Sequence, residues 1–153
     1  MSNLFYILVG LLIAMVSMAE ASGNAVGEWK LKEVWRENEA EPLSLTRDGQ
    51  DYTMSITPTD GENVLKVSIK VGNNMNTRMT ILESGDEEDK IKLGFVMATR
   101  MMPGSPEKEE LEGYIMSHFP KFSSLKVKGS EELVLSSEEG ARIVCEQEAE
   151  SAN

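Results

Sequence analysis

The sequence predicts a mainly β protein, a small antiparallel β-barrel or meander of eight or nine short strands with one α-helix, at about residues 105–119, packed against it. Apolar and polar residues alternate with period two in short runs from residue 27 onward, as in half-buried strands. Turn signals rich in Gly, Asp and Asn separate these runs at near-regular spacing. Only one segment has helical spacing. Closing the strands into a barrel would remove the exposed sheet edges that a meander otherwise leaves.

The first predicted strand is Gly27–Trp35, and strict alternation places Trp29 and Trp35 on the same face. A short strand over Leu43–Leu45 follows Pro42. Asp48-Gly49 then predicts a tight turn into the next strand. The remaining predicted strands are Tyr52–Ile56, Leu65–Val71, Arg78–Leu82, Ile91–Phe95, Leu125–Lys128, Leu133–Leu135 and Ala141–Glu146, and Ser84–Asp89 is predicted as an acidic, solvated turn.

The predicted helix has a well-marked start. Ser105 is a suitable N-cap, and Pro106 suits the first helical position, where a backbone N–H would have no partner. Pro120 prevents a further turn. An apolar stripe at helical spacing predicts one buried face, formed by Leu111, Tyr114, Ile115, His118 and Phe119. The glutamates at 107, 109, 110 and 112 are predicted to form a solvated face.

Residues 1–21 are predicted to be a signal peptide, because an apolar run is followed by small residues at the spacing that signal peptidase recognises. Cleavage is expected between Ala21 and Ser22. The protein is therefore expected to enter the secretory pathway and to be secreted, with no membrane span in the mature chain. The alternative is a membrane tether formed by an uncleaved leader. Residues 22–26 are predicted as a linker, 27–147 as the folded domain and 148–153 as a disordered tail.

Composition limits the classes of partner. The formal net charge of −11 argues against nucleic acid, which would repel the chain at long range. The single cysteine, Cys145, is predicted to be buried and inert, and the single histidine, His118, to be a packed or capping residue. The sequence contains no recognisable catalytic motif, metal-ligand set or cofactor motif, so no enzymatic activity, catalytic residue, metal or cofactor is predicted.

Two features near the start of the helix leave alternatives open. Thr99 and Arg100 are predicted to form a structural corner, with Arg100 tying it to a strand or to the helix; anion binding is the alternative. Several methionines flank this corner, and they either fill the core or line a flexible pocket for an apolar ligand.

Several fragments, in order, resemble the META domain family, which includes the bacterial HslJ-like proteins. They are Gly27-Glu28-Trp29-Lys30-Leu31, Gly72-Asn73-Asn74, Ile91-Lys92-Leu93-Gly94, Ala98-Thr99-Arg100-Met101-Met102, the Glu-rich helix and the closing segments Leu133-Val134-Leu135 and Gly140-Ala141-Arg142-Ile143. The resemblance covers residues 27–147 and implies a compact β-barrel with one helix, no known enzymatic activity, and association with secretion or virulence. Bacterial members often carry two cysteines where this chain has Asn73 and Met102, so the corresponding disulfide is not expected.

Two functions are therefore considered. The first is a non-enzymatic module of the secretory pathway that binds an unidentified protein partner, in virulence or in the transport of other proteins. The alternative is a carrier of a lipid or another small apolar ligand in the barrel mouth. The candidate lining residues for such a ligand are Trp29, Trp35, Met97, Met101 and Tyr114.

Overall fold

The described part of the chain forms nine strands and one α-helix, and eight of these strands lie in segments that the periodicity indicates. A computed structural model describes residues 25–45, 52–99, 104–129 and 131–147. The elements are β1 Gly27–Trp35, β2 Thr53–Pro58, β3 Val64–Lys70, β4 Asn74–Ser84, β5 Asp89–Leu93, β6 Met97–Ala98, α1 Pro106–His118, β7 Phe122–Lys128, β8 Glu132–Ser137 and β9 Arg142–Gln147. The predicted leader with its Ala21–Ser22 cleavage site, the Asp48-Gly49 turn, Arg100, Met101 and the tail lie outside the described residues.

Eight of the strands close into an antiparallel barrel. Neighbours pair in the order β1, β2, β3, β4, β5, β7, β8, β9, and β9 pairs back with β1. The ninth strand, β6, lies outside this ring and pairs with β4 through Met75↔Ala98 and Asn76↔Met97. The shortest ladder of the ring joins β5 to β7 through two residue pairs. The predicted fold class, a mainly β barrel with one helix, is confirmed.

The barrel interior is a continuous apolar core. Alternate residues of β3 and β4 point inward, and Met75 and Met79 are 1% and 0% exposed. Met54 of β2 is likewise fully buried. These three methionines therefore fill the core, whereas Met97 of β6 is 76% exposed and lies on the outer surface.

The first strand departs from strict alternation. A β-bulge between Leu31 and Glu33 adds one residue against β9. The extra residue shifts the inward and outward alternation in the rest of β1. Trp29 and Val34 therefore point inward, and Trp35 lies on the outer wall. The prediction that Trp29 and Trp35 share a face is therefore wrong.

The segment predicted as a short strand at Leu43–Leu45 has no strand structure. The Leu43 N–H donates to the Val34 carbonyl at 2.8 Å, and the Leu43 side chain is buried. With one such backbone bond to β1, the segment is anchored without forming a ladder.

The helix begins and ends where the sequence indicates. The Ser105 hydroxyl accepts a hydrogen bond from the Lys108 N–H at 3.2 Å, Pro106 occupies the first turn, and a single 3-10 turn, Phe119–Lys121, follows. Leu111, Ile115 and Phe119 are buried in the barrel core. Within the described ranges, no helix has the length and apolar character needed to cross a membrane.

The helix packs at the barrel end where β1 and β3 finish and β4 begins, here called the helix end. Arg36, just after β1, lies 3.2 Å from the Glu110 carboxylate of α1. The opposite end, here called the far end, carries the turns at residues 59–63 and 85–88, and Gly129 and Glu131 lie there too.

Candidate functional site

A buried carboxylate joins the helix to the turn between β3 and β4. Glu112 Oε1 accepts hydrogen bonds from the backbone N–H groups of Gly72, at 2.8 Å, and Asn73, and Oε2 accepts one from Asn73 Nδ2 at 3.0 Å. Glu112 and Asn73 are only 8% and 6% exposed. The prediction that Glu112 faces solvent is wrong. The N–H donors of the β3–β4 turn point towards the helix face on which Glu112 lies, and they bind its carboxylate.

The same network continues to residue 99, just beyond β6. Thr99 Oγ1 donates to Asn73 Oδ1 and accepts from the Asn74 N–H, both at 3.1 Å. The Thr99 N–H also donates to the Asn74 carbonyl at 3.1 Å. The end of β6 is therefore tied to the β3–β4 turn and, through Asn73, to the helix.

Between β5 and β6 the chain bulges away from β4. Met79 pairs with Leu93 and Asn76 with Met97, so three residues of this segment face two of β4. The bulge directs Phe95 into solvent, where it is 90% exposed. We call Phe95 and Met97 the apolar corner. Its only sequence signal is Gly94, because a glycine inside a strand pattern often marks a bulge.

Three outward-facing cations lie on the strands next to the apolar corner. Lys66 of β3 lies directly opposite Arg78 of β4, and Lys92 of β5 lies opposite Thr80. The Arg78 carbonyl accepts the Gly94 N–H at 3.0 Å, so Arg78 stands level with the bulge. No ion pair joins Lys66, Arg78 or Lys92 to another side chain of the described ranges.

The single histidine and the single cysteine both have structural surroundings. The His118 ring stacks on Tyr114 with centroids 4.4 Å apart, and its Nδ1 lies 3.2 Å from the Tyr114 carbonyl oxygen. Cys145 is fully buried in β9, and burial raises the pKa of its thiol to about 12. Both observations agree with the packed roles that the sequence predicts for these residues.

The far end holds a second buried carboxylate. Asp89, predicted to lie in a solvated turn, is 5% exposed and points inward at the start of β5. Burial raises the pKa of its carboxyl above the usual value, although hydrogen bonds from Gly85 and Ser84 act in the opposite direction. Among the described residues, no three His, Cys, Asp or Glu side chains are grouped so that they could hold a metal ion.

Comparison with known families identifies the barrel. The family model of the META domain matches residues 24–150. The chain belongs to the META domain family. The further HslJ-like assignment stays a prediction.

Two solved structures resemble this META domain. The NMR structure of a protein from Burkholderia xenovorans has a TM-score of 0.58 and 15% identity, and the match covers 80% of this chain and 82% of that one. The crystal structure of a DUF4847 family protein from Bacteroides vulgatus has a TM-score of 0.45 and 14% identity, over 83% of this chain and 96% of that one. No curated protein matches the chain. The Burkholderia match bears on the fold alone.

The residues suggested as a ligand lining lie in different parts of this META domain. Trp29 is in the core, where its Nε1 donates to the Ala25 carbonyl at 2.8 Å, and Tyr114 lies on the buried face of α1. Trp35 lies on the outer wall, with the Arg142 guanidinium 4.9 Å from its ring centroid. Met97 is at the apolar corner. These four residues therefore do not line one cavity.

An open depression of about 430 Å³ lies on the outer wall over the β5–β7 join. Four serines line it together with Glu88, Lys90 and Glu138. Leu82 and Ile91 complete the lining, which is therefore mixed and open, whereas a site for a lipid or another apolar ligand is usually concave and mostly apolar.

Proposed function

We propose that this META domain is a non-enzymatic protein-binding module of the secretory pathway and that the apolar corner is its docking point. The observation that carries the proposal is the exposure of two large apolar side chains two residues apart, Phe95 at 90% and Met97 at 76%. Single exposed apolar residues are common on protein surfaces, but neighbouring ones next to a polar rim are typical of interaction sites.

The support beneath the corner favours binding. Thr99, Asn73 and Glu112 connect the end of β6 to the β3–β4 turn and to the helix. A surface that is already ordered loses little conformational freedom when a partner docks, so more of the contact energy appears as affinity. Aromatic side chains are enriched among the residues that dominate binding energy, which makes Phe95 the expected anchor.

The surroundings of the chain's most reactive side chains support a non-enzymatic role. The Cys145 thiol is buried and stays protonated near neutral pH because its pKa is about 12. His118 is stacked on Tyr114 and lies against its carbonyl. Neither arrangement resembles a nucleophile paired with a general base in an open cleft.

The predicted leader supports the proposed entry into the secretory pathway. Membership of the META family is consistent with a role in secretion or virulence. If the leader is cleaved as expected, the secreted protein begins at Ser22. Sequencing the N-terminus of protein collected from the medium tests this, and a start at Met1 in a membrane fraction would instead identify a tethered protein.

A site-specific photo-crosslinker tests the docking point. Benzoylphenylalanine in place of Phe95 is expected to give a discrete adduct with one partner protein in the source cell. The matched control places the same group at Leu82, which is also apolar and 61% exposed but lies near the far end of β4. Equal adducts from both positions, or none from position 95, would contradict the proposal.

A further inference from the structure

Charge is divided unevenly over this acidic protein. The nine strands carry ten Lys and Arg against six Asp and Glu, whereas the rest of the described chain carries three against fifteen. The alternation of the strands turns most of the strand charges outward. The barrel wall is therefore cationic although the whole chain has a formal charge of −11.

The wall next to the apolar corner concentrates this charge. Lys66 and Arg78 are direct cross-strand partners, an arrangement that destabilises a sheet because like charges face each other. Lys92 extends the positive surface onto β5. A negatively charged group placed over these residues would relieve the repulsion and would lie within reach of Phe95.

We propose that the cationic corner, defined as Lys66, Arg78, Lys92, Phe95 and Met97, binds an extended acidic segment of a partner protein that carries an apolar side chain between its carboxylates. The inference rests on the proposed function and specifies the chemistry of the partner. The carboxylates of the segment pair with Lys66, Arg78 and Lys92, and its apolar side chain packs on Phe95 and Met97.

The backbone of β6 suits an extended segment. Successive residues of a strand direct their N–H and C=O groups to opposite sides. Because the Thr99 N–H donates to Asn74 of β4, the N–H and C=O of Ala98 point away from β4, and Ala98 is exposed. β6 pairs with β4 alone among the described strands. Among the described residues these groups of Ala98 have no strand partner, so a segment that crosses the wall from β6 towards Lys66 finds backbone hydrogen-bonding groups at this end.

The distribution of acids favours a narrow partner over an anionic membrane. Acidic residues lie beyond both ends of the wall, in Asp86, Glu87 and Glu88 at the far end and in Glu107 and Glu109 of α1 at the helix end. A charged plane would meet these acids together with the cations and would be repelled by them. A single extended segment contacts only the strip between them, because screening limits charge effects to about 8 Å at physiological salt.

Synthetic peptides test the proposed chemistry on the full protein. Three peptides of about ten residues, the length of a long strand, are compared by fluorescence anisotropy: one alternating Glu with Leu and Phe, one alternating Glu with Ser, and one alternating Lys with Leu and Phe. The acidic, apolar peptide is expected to bind at least about tenfold more tightly than the others. Its affinity is expected to fall as salt rises, because screening weakens its ion pairs.

Matched variants locate the site. Arg78→Glu and Phe95→Ser are each expected to weaken binding of the acidic, apolar peptide about tenfold, while Arg78→Lys keeps most of it. Lys32→Glu makes a charge reversal at an exposed position of β1 on another part of the wall, and Leu82→Ser removes a different exposed apolar side chain. Both controls are expected to change the affinity less than about twofold.

Several outcomes would overturn the inference. One is equal binding of all three peptides, and another is an equal effect of Lys32→Glu and Arg78→Glu. Binding to phosphatidylserine vesicles in place of the peptide would assign the surface to a membrane, and an Arg78-dependent dimer in sedimentation would assign it to a second copy. If the crosslinker at position 95 captures one partner but no acidic peptide binds, the proposed function stands and the acidic segment is wrong.

Discussion

Among the described residues, each end of the barrel buries one carboxylate, and the two have different surroundings. At the helix end, Glu112 accepts hydrogen bonds from three N–H groups that lie 39 or 40 residues away in the chain. At the far end, Asp89 receives its bonds from Ser84 and Gly85 of its own hairpin, and burial still raises its pKa. A buried charge is stabilised where enough donors converge on it and penalised where they do not. Glu112 therefore links segments that are distant in the chain and stabilises the fold. Asp89 bonds only within its own hairpin, and its burial lowers stability.

Removing the helix-end carboxylate is expected to have the largest effect. Glu112→Ala leaves the N–H groups of Gly72 and Asn73 buried without an acceptor, and we expect a loss of about 3 kcal/mol in the free energy of unfolding. Urea denaturation followed by tryptophan fluorescence measures it. Glu109→Ala, an exposed change on the same helix, is the control and should stay within about 0.5 kcal/mol. Equal losses in the two variants would show that Glu112 contributes no more than a surface residue.

Thr99, just beyond β6, tests whether the hydrogen-bond network of Glu112 and Asn73 extends to this residue. Thr99→Val removes the hydroxyl that bonds Asn73 Oδ1 and the Asn74 N–H, and a loss of about 1 kcal/mol is expected. The loss should shrink in an Asn73→Ala background, because the two residues share one network. Additive losses in this double-mutant cycle would place Thr99 outside the network.

The far-end carboxylate is expected to behave in the opposite way. The pKa of Asp89 is raised by burial, so its protonated form is favoured in the folded state. The stability linked to this group is therefore complete below the unfolded value of 3.8 and is lost as pH rises through the folded pKa. Asp89→Asn should be more stable than the natural protein at pH 7, with the difference vanishing as pH falls below about 3.8. Denaturation midpoints at the two pH values measure this, and a variant that is less stable at pH 7 would refute it.

The smallest change in stability is expected at Tyr114, on the buried face of the helix. Its hydroxyl is buried with no hydrogen-bond partner among the described residues, so Tyr114→Phe should change the free energy of unfolding by less than about 0.5 kcal/mol at pH 7. Burial raises the pKa of Tyr114 to about 12, with the Glu37 carboxylate adding to the shift. The stability linked to this group is therefore present below pH 10 and is lost as pH rises towards 12. Unfolding curves of both proteins across this range test the sign.

The helix, the central residues of every strand except β6 and the barrel class could be predicted because their signals are local. Ser105 and Pro106 define a helix start by their own chemistry, and alternation in Leu65–Val71 marks an inward face without reference to a partner strand. The packing of His118 and the burial of Cys145 were also predicted from the residues next to them in the sequence.

The features missed from the sequence depend on residues that are distant in the chain. The bulge that turns Trp35 outward is set by register against β9, and the burial of Glu112 depends on donors from another hairpin. Phe95 reads as an inward strand residue until the pairing of Met97 with Asn76 shows an extra residue. The candidate surface could not be predicted because it depends on the bulge between β5 and β6, where the residues of this segment outnumber those of β4 that they face.

The pairing of β1 with β9 has a consequence for the order of folding. Trp29 near the start of the domain pairs with Gln147 near its end, so this ladder closes a longer loop than any other pairing of the described strands. Contacts between residues so far apart in sequence form slowly, because the chain entropy is lost before the contact is made. β9 also supplies Ile143 and Cys145, both fully buried, to the interior. The barrel therefore stays open, with apolar strand faces uncovered, until its last strand is available, and a chain that is shortened by that strand is expected to aggregate rather than fold.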